Sequence, residues 1–406
     1  MSITGTRIEV ENLRRHRKLT VPLAGTTVLL GHNNVGKSAV MDGLGLLANA
    51  SRHSPFMFSS YSKFTFQALA HPIGKDISCR VDFRDPSTST TGRYAISFGA
   101  TPPPTSYIDV RDEILEVDDK PLFERRSGVA PSGPMAGPIV PDLANSAFFA
   151  ALAAGRRRLP PHTLSVPPFV DQIGSTFRAI GQYRMVADFI ADAGNSSPVS
   201  GAFPNVNRKG TGLTALLIYL HEFEPDAFSC ITNDLSNAVD GFEGFEFAPA
   251  AQPQESEFRV TFRDSRGAIP SPQLSDGTLN LIGLTAVLRS PRQFRFLCLE
   301  EPELGLTPKS IQHLVQALAE GPTPIGAAQP QILITTHSPY LVSSLLDHFT
   351  AIGRRSDLNI IVISNDPELD RTVAEPLESA ADSCGYDPTL ELRPEHIAIV
   401  MRSLLS

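Results

Sequence analysis

Gly31-His32-Asn33-Asn34-Val35-Gly36-Lys37-Ser38 reads G-x-x-x-x-G-K-S, the pattern of a loop that cradles phosphate. Its neighbours supply the setting such a loop needs. Thr26-Thr27-Val28-Leu29-Leu30 is a short apolar, β-branched run that predicts a buried strand, and Ala39 to Leu47 carries helical spacing. Glycines at Gly31 and Gly36 let the backbone turn tightly and present its N–H groups inward as an anion nest. The helix start adds partial positive charge from its unpaired N–H groups. In that geometry Lys37 reaches the β- and γ-phosphates, the Ser38 hydroxyl holds Mg²⁺, and Asn33 and Asn34 lie in the loop.

The chain has 406 residues, 41% of them hydrophobic, which is enough for a substantial core and more than one domain. A net charge of -8 excludes a surface that is basic throughout, though not a local basic patch. Cys79, Cys230, Cys298 and Cys384 are scattered without C-x-x-C spacing. That argues against a disulfide framework or a zinc site and fits a reducing cytoplasm. The N-terminus lacks the apolar stretch of a signal peptide, and no apolar run is long enough to span a bilayer, so no membrane partner is expected.

Outward from the loop, Arg7–Val10 and Leu19–Leu23 read as strands. The basic run Arg14-Arg15-His16-Arg17-Lys18 lies between them, either as a solvated turn or with one arginine stacked on a base. After the first helix, alternating runs at Asp76–Phe83, Arg93–Phe98, Tyr107–Val110 and Glu113–Val117 predict an antiparallel meander in short pieces. Residues 121–165 are rich in Pro and Gly around one helix, Leu143–Ala154. The triplet Arg156-Arg157-Arg158 that follows is either a charged helix end or a phosphate contact. Val166–Ala193 reads as helix, with Tyr183-Arg184 on its surface. Helices are also expected over Leu213–Phe223 and Asp226–Val239, and strands over Phe242–Phe247 and Phe258–Phe262 with a hairpin turn at Asp264–Gly267. These shifts divide the chain into an N-terminal lobe over 1–120, an inserted, mostly helical region over 121–240, and a C-terminal lobe over 241–406.

Two further motifs sit in that last part. Leu274-Ser275-Asp276-Gly277-Thr278 precedes a helix, Leu279–Leu288, and by itself is an ordinary N-cap. Phe296-Leu297-Cys298-Leu299-Glu300-Glu301-Pro302-Glu303 is an apolar strand that delivers carboxylates to its C-terminal edge, where α/β sheets bind ligands and where Mg²⁺ and an attacking water both favour carboxylate. Gln331–Thr336 is a further strand ending in His337-Ser338-Pro339. Asn365-Asp366 and Asp370 read as loop.

The order of these motifs resembles the ABC-type ATPases of the SMC/RecF/OLD group, whose motifs G-x-N-N-x-G-K-S, L-S-x-G, h-h-h-h-E-E-P-E and T-T-H-S-P match the residues quoted. The resemblance implies an α/β fold, a P-loop ABC-type ATPase head with a mixed sheet, an antiparallel β lobe and an inserted helical region. It implies ATP and Mg²⁺ as cofactors. Gly31, Asn33, Asn34, Gly36, Lys37 and Ser38 would bind the nucleotide, with Ser38 and Glu300 supporting the metal. Glu301 would polarise water, and His337 would sense the γ-phosphate. Ser275 and Gly277 would cap the γ-phosphate held by the opposite subunit, so two chains would sandwich two ATP. Thr307-Pro308 departs from the His-Pro frequent in relatives. Gln67 stands as the Q-loop candidate.

With no long heptad region there are no SMC-like arms. The stretch after the last core strand is too short for the Toprim nuclease domain fused to many OLD-type chains, so a nuclease or toxin activity is expected to need another chain. The expectation is a stand-alone AAA-type ATPase that forms a homodimer or higher homo-oligomer on ATP and controls a separate effector protein, as in anti-phage defence. The alternatives are a RecF-like repair ATPase with nucleic acid as partner, and a nucleotide-dependent scaffold with little hydrolysis.

Overall fold

The structure, a computed structural model, describes residues 3–52, 69–71, 76–100, 108–127, 129–136, 147–158, 166–191, 203–249, 256–263, 267–290, 294–321, 329–366, 371–384 and 393–403. Gln67, Asp264–Arg266, Asp370 and the first part of the expected Leu143–Ala154 helix lie outside these residues. The chain forms two compact units. Met1–Ile180, Asn359–Glu391 and Ala398–Ser406 make the first, and Gly181–Leu358 with Leu392–Ile397 the second.

In the first unit, β1 (Thr4–Leu13) and β2 (His16–Pro22) form a hairpin, and β3 (Thr26–Leu30) is buried at every residue. A non-alternating apolar run is what a strand covered on both faces requires. α1 (Lys37–Arg52) follows the glycine loop and buries Val40, Leu44 and Leu47. β4 (Ile77–Arg84), β5 (Thr91–Ala100), β6 (Ile108–Val117) and β7 (Lys120–Arg125) then complete an antiparallel sheet ordered β2-β1-β4-β5-β6-β7.

The expected antiparallel lobe is present, with two corrections. β6 is one strand, not two, because β5 bulges at Ile96–Phe98 and the Ser97 hydroxyl accepts the Asp112 N–H at 2.9 Å, holding the charged middle of β6 in the ladder. β7 falls in a stretch that composition marks as irregular. Asp118 and Asp119 take φ of 48° and 58°, a two-residue turn of the kind that matches strand twist, and fold Lys120 back opposite Val117.

α2 (Phe148–Arg158) and α3 (Pro168–Arg178) bring Phe148, Phe149 and Phe177 onto aromatic residues of this sheet. Ring centroids lie 5.0 Å apart for Tyr94–Phe149, 5.3 Å for Tyr94–Phe177 and 4.6 Å for Phe123–Phe148. The Glu113 carboxylate, fully buried here, accepts the Phe148 N–H at 2.7 Å and the Tyr94 hydroxyl, and pairs with Arg125 at 3.0 Å.

α3 stops at Arg178, so Val166–Ala193 is not one helix. Ile180-Gly181-Gln182-Tyr183 is a short strand, β8 (Ile180–Tyr183), in which Gly181 makes room for Phe294; a Cβ there would lie 2.6 Å from that ring. β8 opens the second unit. α4 (Ala187–Ala191), α5 (Leu213–Phe223) and α6 (Pro225–Ala238) follow. Next comes an antiparallel ribbon of β9 (Phe242–Pro249), β10 (Ser256–Phe262) and β11 (Ile269–Pro270). α7 (Asp276–Arg289) is buried along nearly its whole length, against α4, α5, α6 and α8 (Pro308–Glu320). β12 (Phe296–Glu300) and β13 (Gln331–Thr336) are buried at every residue and pair in parallel, Glu300 opposite Thr335, in the order β13-β12-β8. α9 (Pro339–Ala351) leaves β13 through His337-Ser338.

The chain then returns to the first unit with β14 (Leu358–Asp366) and β15 (Arg371–Pro376), which run β15-β14-β3 in the sheet. Asn365 and Asp366 are therefore strand residues rather than loop, paired with Thr372 and Arg371. α10 (Leu377–Ser383) and α11 (Pro394–Ser403) close the chain. No helix among the described residues is long and apolar enough to cross a membrane.

Candidate functional site

The glycine loop of the first unit curves around the Lys37 ammonium. Lys37 is 6% exposed, and its Nζ donates to the Gly31 carbonyl at 2.6 Å and the His32 carbonyl at 2.8 Å. The curve depends on left-handed backbone at Asn34 (φ 71°) and Gly36 (φ 97°). Asparagine tolerates that region and glycine enters it without penalty. Gly31 is required for a different reason, since a Cβ there would lie 2.5 Å from the Ile363 carbonyl oxygen. Asn33 and Asn34 are exposed at the tip, and Ser38 is half-buried in the first turn of α1.

Beneath the loop the basic run is not a solvated turn throughout. His16 is fully buried, with Nε2 2.9 Å from the Gly36 carbonyl and Nδ1 2.8 Å from the Thr372 hydroxyl, and burial pushes its pKa down. Arg15 donates to the Asn34 carbonyl, and Arg14 pairs at 2.5 Å with Asp42, which α1 buries. The run thus ties β1 and β2 to the loop.

The second unit carries the carboxylates. Glu300 ends β12 and is 7% exposed. Glu301 follows with φ 48°, a left-handed conformation that costs a glutamate of order 1 kcal/mol. Consecutive strand residues point to opposite faces. The left-handed step brings both carboxylates to one side, where Arg184 reaches Glu300 at 3.7 Å and Glu301 at 3.4 Å. Arg208 donates to Glu300 Oε2 at 2.6 Å. His337 Nδ1 stands 3.3 Å from Glu301 Oε1 without hydrogen-bond alignment, and 3.9 Å from Glu303. Glu303 is buried with its carboxyl pKa pushed up by desolvation. Its Oε1 accepts the Thr336 hydroxyl at 2.5 Å, while Oε2 has no hydrogen-bond partner.

Ser275 is the N-cap of α7 and its hydroxyl accepts the Thr278 N–H at 3.2 Å. Ser275 and Asp276 are exposed. Gly277 packs so closely on the loop after β12 that a Cβ would lie 2.1 Å from the Gly305 carbonyl oxygen. Asn280 donates to the Leu304 carbonyl at 3.2 Å, and Leu304 is 47% exposed.

The second unit therefore gathers Glu300, Glu301 and His337 at the ends of β12 and β13, while Lys37, Ser38 and the loop glycines stand together in the first unit. Sequence reasoning missed Arg184, Arg208 and Glu303. Arg184 read as helix surface; it lies at the end of β8. Glu303 was visible in the E-E-P-E run, but nothing in that run marks it as the buried acid.

Residues 154–343 match the family described as "AAA domain, putative AbiEii toxin, Type IV TA system", and residues 1–110 match "AAA ATPase domain". No curated protein sequence matches the chain. Among solved structures, an SMC head bound to the C-terminal winged-helix domain of ScpA is 12% identical, with a TM-score of 0.50, over 93% of this chain and 99% of that one. The SMC head of Thermotoga maritima is 13% identical with a TM-score of 0.44, over 93% and 99% of the two chains. The recombination mediator protein RecF, described as RecF-ATPrS, is 11% identical with a TM-score of 0.40, over 93% and 98%. The fold is that of an SMC head, and both matched families are ATPase domains. Two stretches of the chain thus match ATPase domains on a fold like that of an SMC head, and the chain is an ATPase.

Proposed function

We propose that the chain is a nucleotide-driven switch: it dimerises on Mg-ATP and, through that closure, controls a separate effector protein in anti-phage defence. The exposed start of α7 carries this reading. A capped helix N-terminus with a free-facing Ser275–Asp276 edge, beside an exposed Leu304, is a surface suited to an anionic group presented by a second copy. The "putative AbiEii toxin, Type IV TA system" description supports a place in a toxin–antitoxin-like pair, and the SMC head captured with ScpA supports regulation through a partner chain.

In this reading the loop N–H groups and Lys37 bind phosphate, with Asn33 and Asn34 shaping the loop. Ser38 and Glu300 support Mg²⁺. Their donors are hydroxyl and carboxylate oxygens, the limited set this cation takes when phosphate oxygens complete its sphere. Bound there, the cation would neutralise phosphate charge. Glu301 orients and deprotonates water, and His337 holds the γ-phosphate. Ser275 and Gly277 complete the site of the opposite chain.

The test is the mass of Glu301→Gln protein with and without Mg-ATP. An ATP-dependent doubling is expected, because the amide retains binding but cannot act as base. A monomer under both conditions would refute the sandwich.

A further inference from the structure

Glu300 and Glu301 are held by a purpose-shaped pair of arginines. The segment after β8 and the segment before α5 hydrogen-bond to each other through their backbones, Arg184 N–H to Arg208 O at 2.7 Å and Val186 N–H to Lys209 O at 3.1 Å. The second segment is a tight turn. The Asn207 side chain accepts the N–H groups of Lys209 at 2.9 Å and Thr211 at 3.1 Å. Gly210 and Gly212 follow with φ of 102° and 93°. Neither glycine can be replaced cheaply: a Cβ would lie 2.5 Å from Ile190 Cγ1 at Gly210 and 2.6 Å from the Asn205 carbonyl oxygen at Gly212. This turn fixes the origin of Arg208, whose guanidinium then reaches the nearly buried Glu300 at 2.6 Å. Arg184, half-exposed, bridges both carboxylates.

Two adjacent carboxylates cannot share a sheltered strand end without counter-charge. In this conformation guanidinium supplies it. A hard divalent cation seeks the same oxygens, and a guanidinium seated on Glu300 Oε2 competes with it for that carboxylate's lone pairs and charge.

We propose that Arg208, steadied by Arg184, is a displaceable latch: it occupies Glu300 in competition with the divalent cation, so that cation binding requires its release. The inference rests on the assignment of Glu300 to the metal. It makes Arg208 a positioning residue that sets cation affinity rather than one that touches the reacting atoms. Exchanging guanidinium for cation preserves charge balance at the acidic pair, and the exposed side of both arginines gives them room to swing out, at 49% exposure for the Arg184 side chain and 33% for Arg208.

The experiment is a Mn²⁺ titration of the full chain saturated with a non-hydrolysable ATP analogue, read from the free-ion electron paramagnetic resonance signal against the analogue alone. Arg208→Ala should bind Mn²⁺ roughly tenfold tighter than wild type or better, the worth of one charge-assisted hydrogen bond. Arg208→Lys, which keeps the charge but loses the planar fork, should show a smaller gain and serves if the alanine variant does not fold. Adding Glu300→Gln to either variant should erase the gain. Equal affinity in wild type and the Arg208 variants overturns the latch. A gain that survives Glu300→Gln places the cation elsewhere and overturns the metal assignment with it.

Discussion

At the scale of single residues, the glycine loop is held from below as well as shaped for what it binds. Gly36 is needed twice: for its φ of 97°, and because a Cβ would sit 2.1 Å from His16 Nε2. The Gly36 carbonyl can only accept, so in the neutral ring Nε2 carries the hydrogen and Nδ1 accepts from Thr372. Burial lowers the His16 pKa from 6.5, outweighing the Gly36 hydrogen bond, and Arg15 and His71 lower it further. The unfolded chain therefore binds a proton that the folded chain refuses. Stability is full above 6.5 and falls as pH drops through that value towards the folded pKa, by up to about 1.4 kcal/mol per pH unit for a single proton. Glu303 works in the opposite sense. Its carboxyl is raised above 4.5 by burial, so stability falls as pH rises above 4.5. The difference between wild type and His16→Asn separates the two. Urea unfolding at pH 7.5 and 5.5 should show the wild type losing more on acidification than the variant; parallel losses would mean that His16 is not the titrating group.

At the scale of elements, α7 separates a structural from a functional role. Ser275 caps the helix through Thr278, and Ser275→Ala should cost about 1 kcal/mol in unfolding experiments. Ser275→Asp keeps an equally good cap but places a carboxylate at the surface that the proposal reserves for phosphate. Near-native stability with no ATP-dependent dimer is the expected outcome, and a normal dimer would reduce this serine to a cap. Elements whose pattern is local were legible. β3, β12 and β13 are unbroken apolar runs because both faces are covered, and α5 spans Leu213–Phe223 as expected. What escaped was non-local. β8 is a strand of four residues after a true helix, and only its neighbour Phe294 explains Gly181. The Arg184–Arg208 clamp depends on backbone pairing across an intervening helix, which no window of sequence displays. The P-loop, the acidic strand end and His337 were legible because each ends or follows a buried strand. The arginines that neutralise the acids carry no such mark.

At the scale of the whole molecule, the proposal that two chains complete one another's sites has a consequence that neither a monomeric ATPase nor a self-contained dimer shares. Lys37→Ala removes the ammonium around which the glycine loop curves, and should leave the chain unable to bind or hydrolyse ATP. Ser275→Asp leaves that loop intact but spoils the surface offered to the other chain. Each protein alone should be inactive. Neither variant can close on itself with ATP, so in an equimolar mixture the dimers that form pair one of each. In such a heterodimer one site combines an intact Lys37 with an intact Ser275, and the other combines both defects. Activity should therefore return on mixing, to a ceiling of about half of wild type when one site turns over independently. Steady-state phosphate release measured across mixing ratios should peak near equal proportions. If every ratio stays flat while the separate proteins remain folded, Ser275 acts within its own chain or not at all, and the shared-site proposal falls.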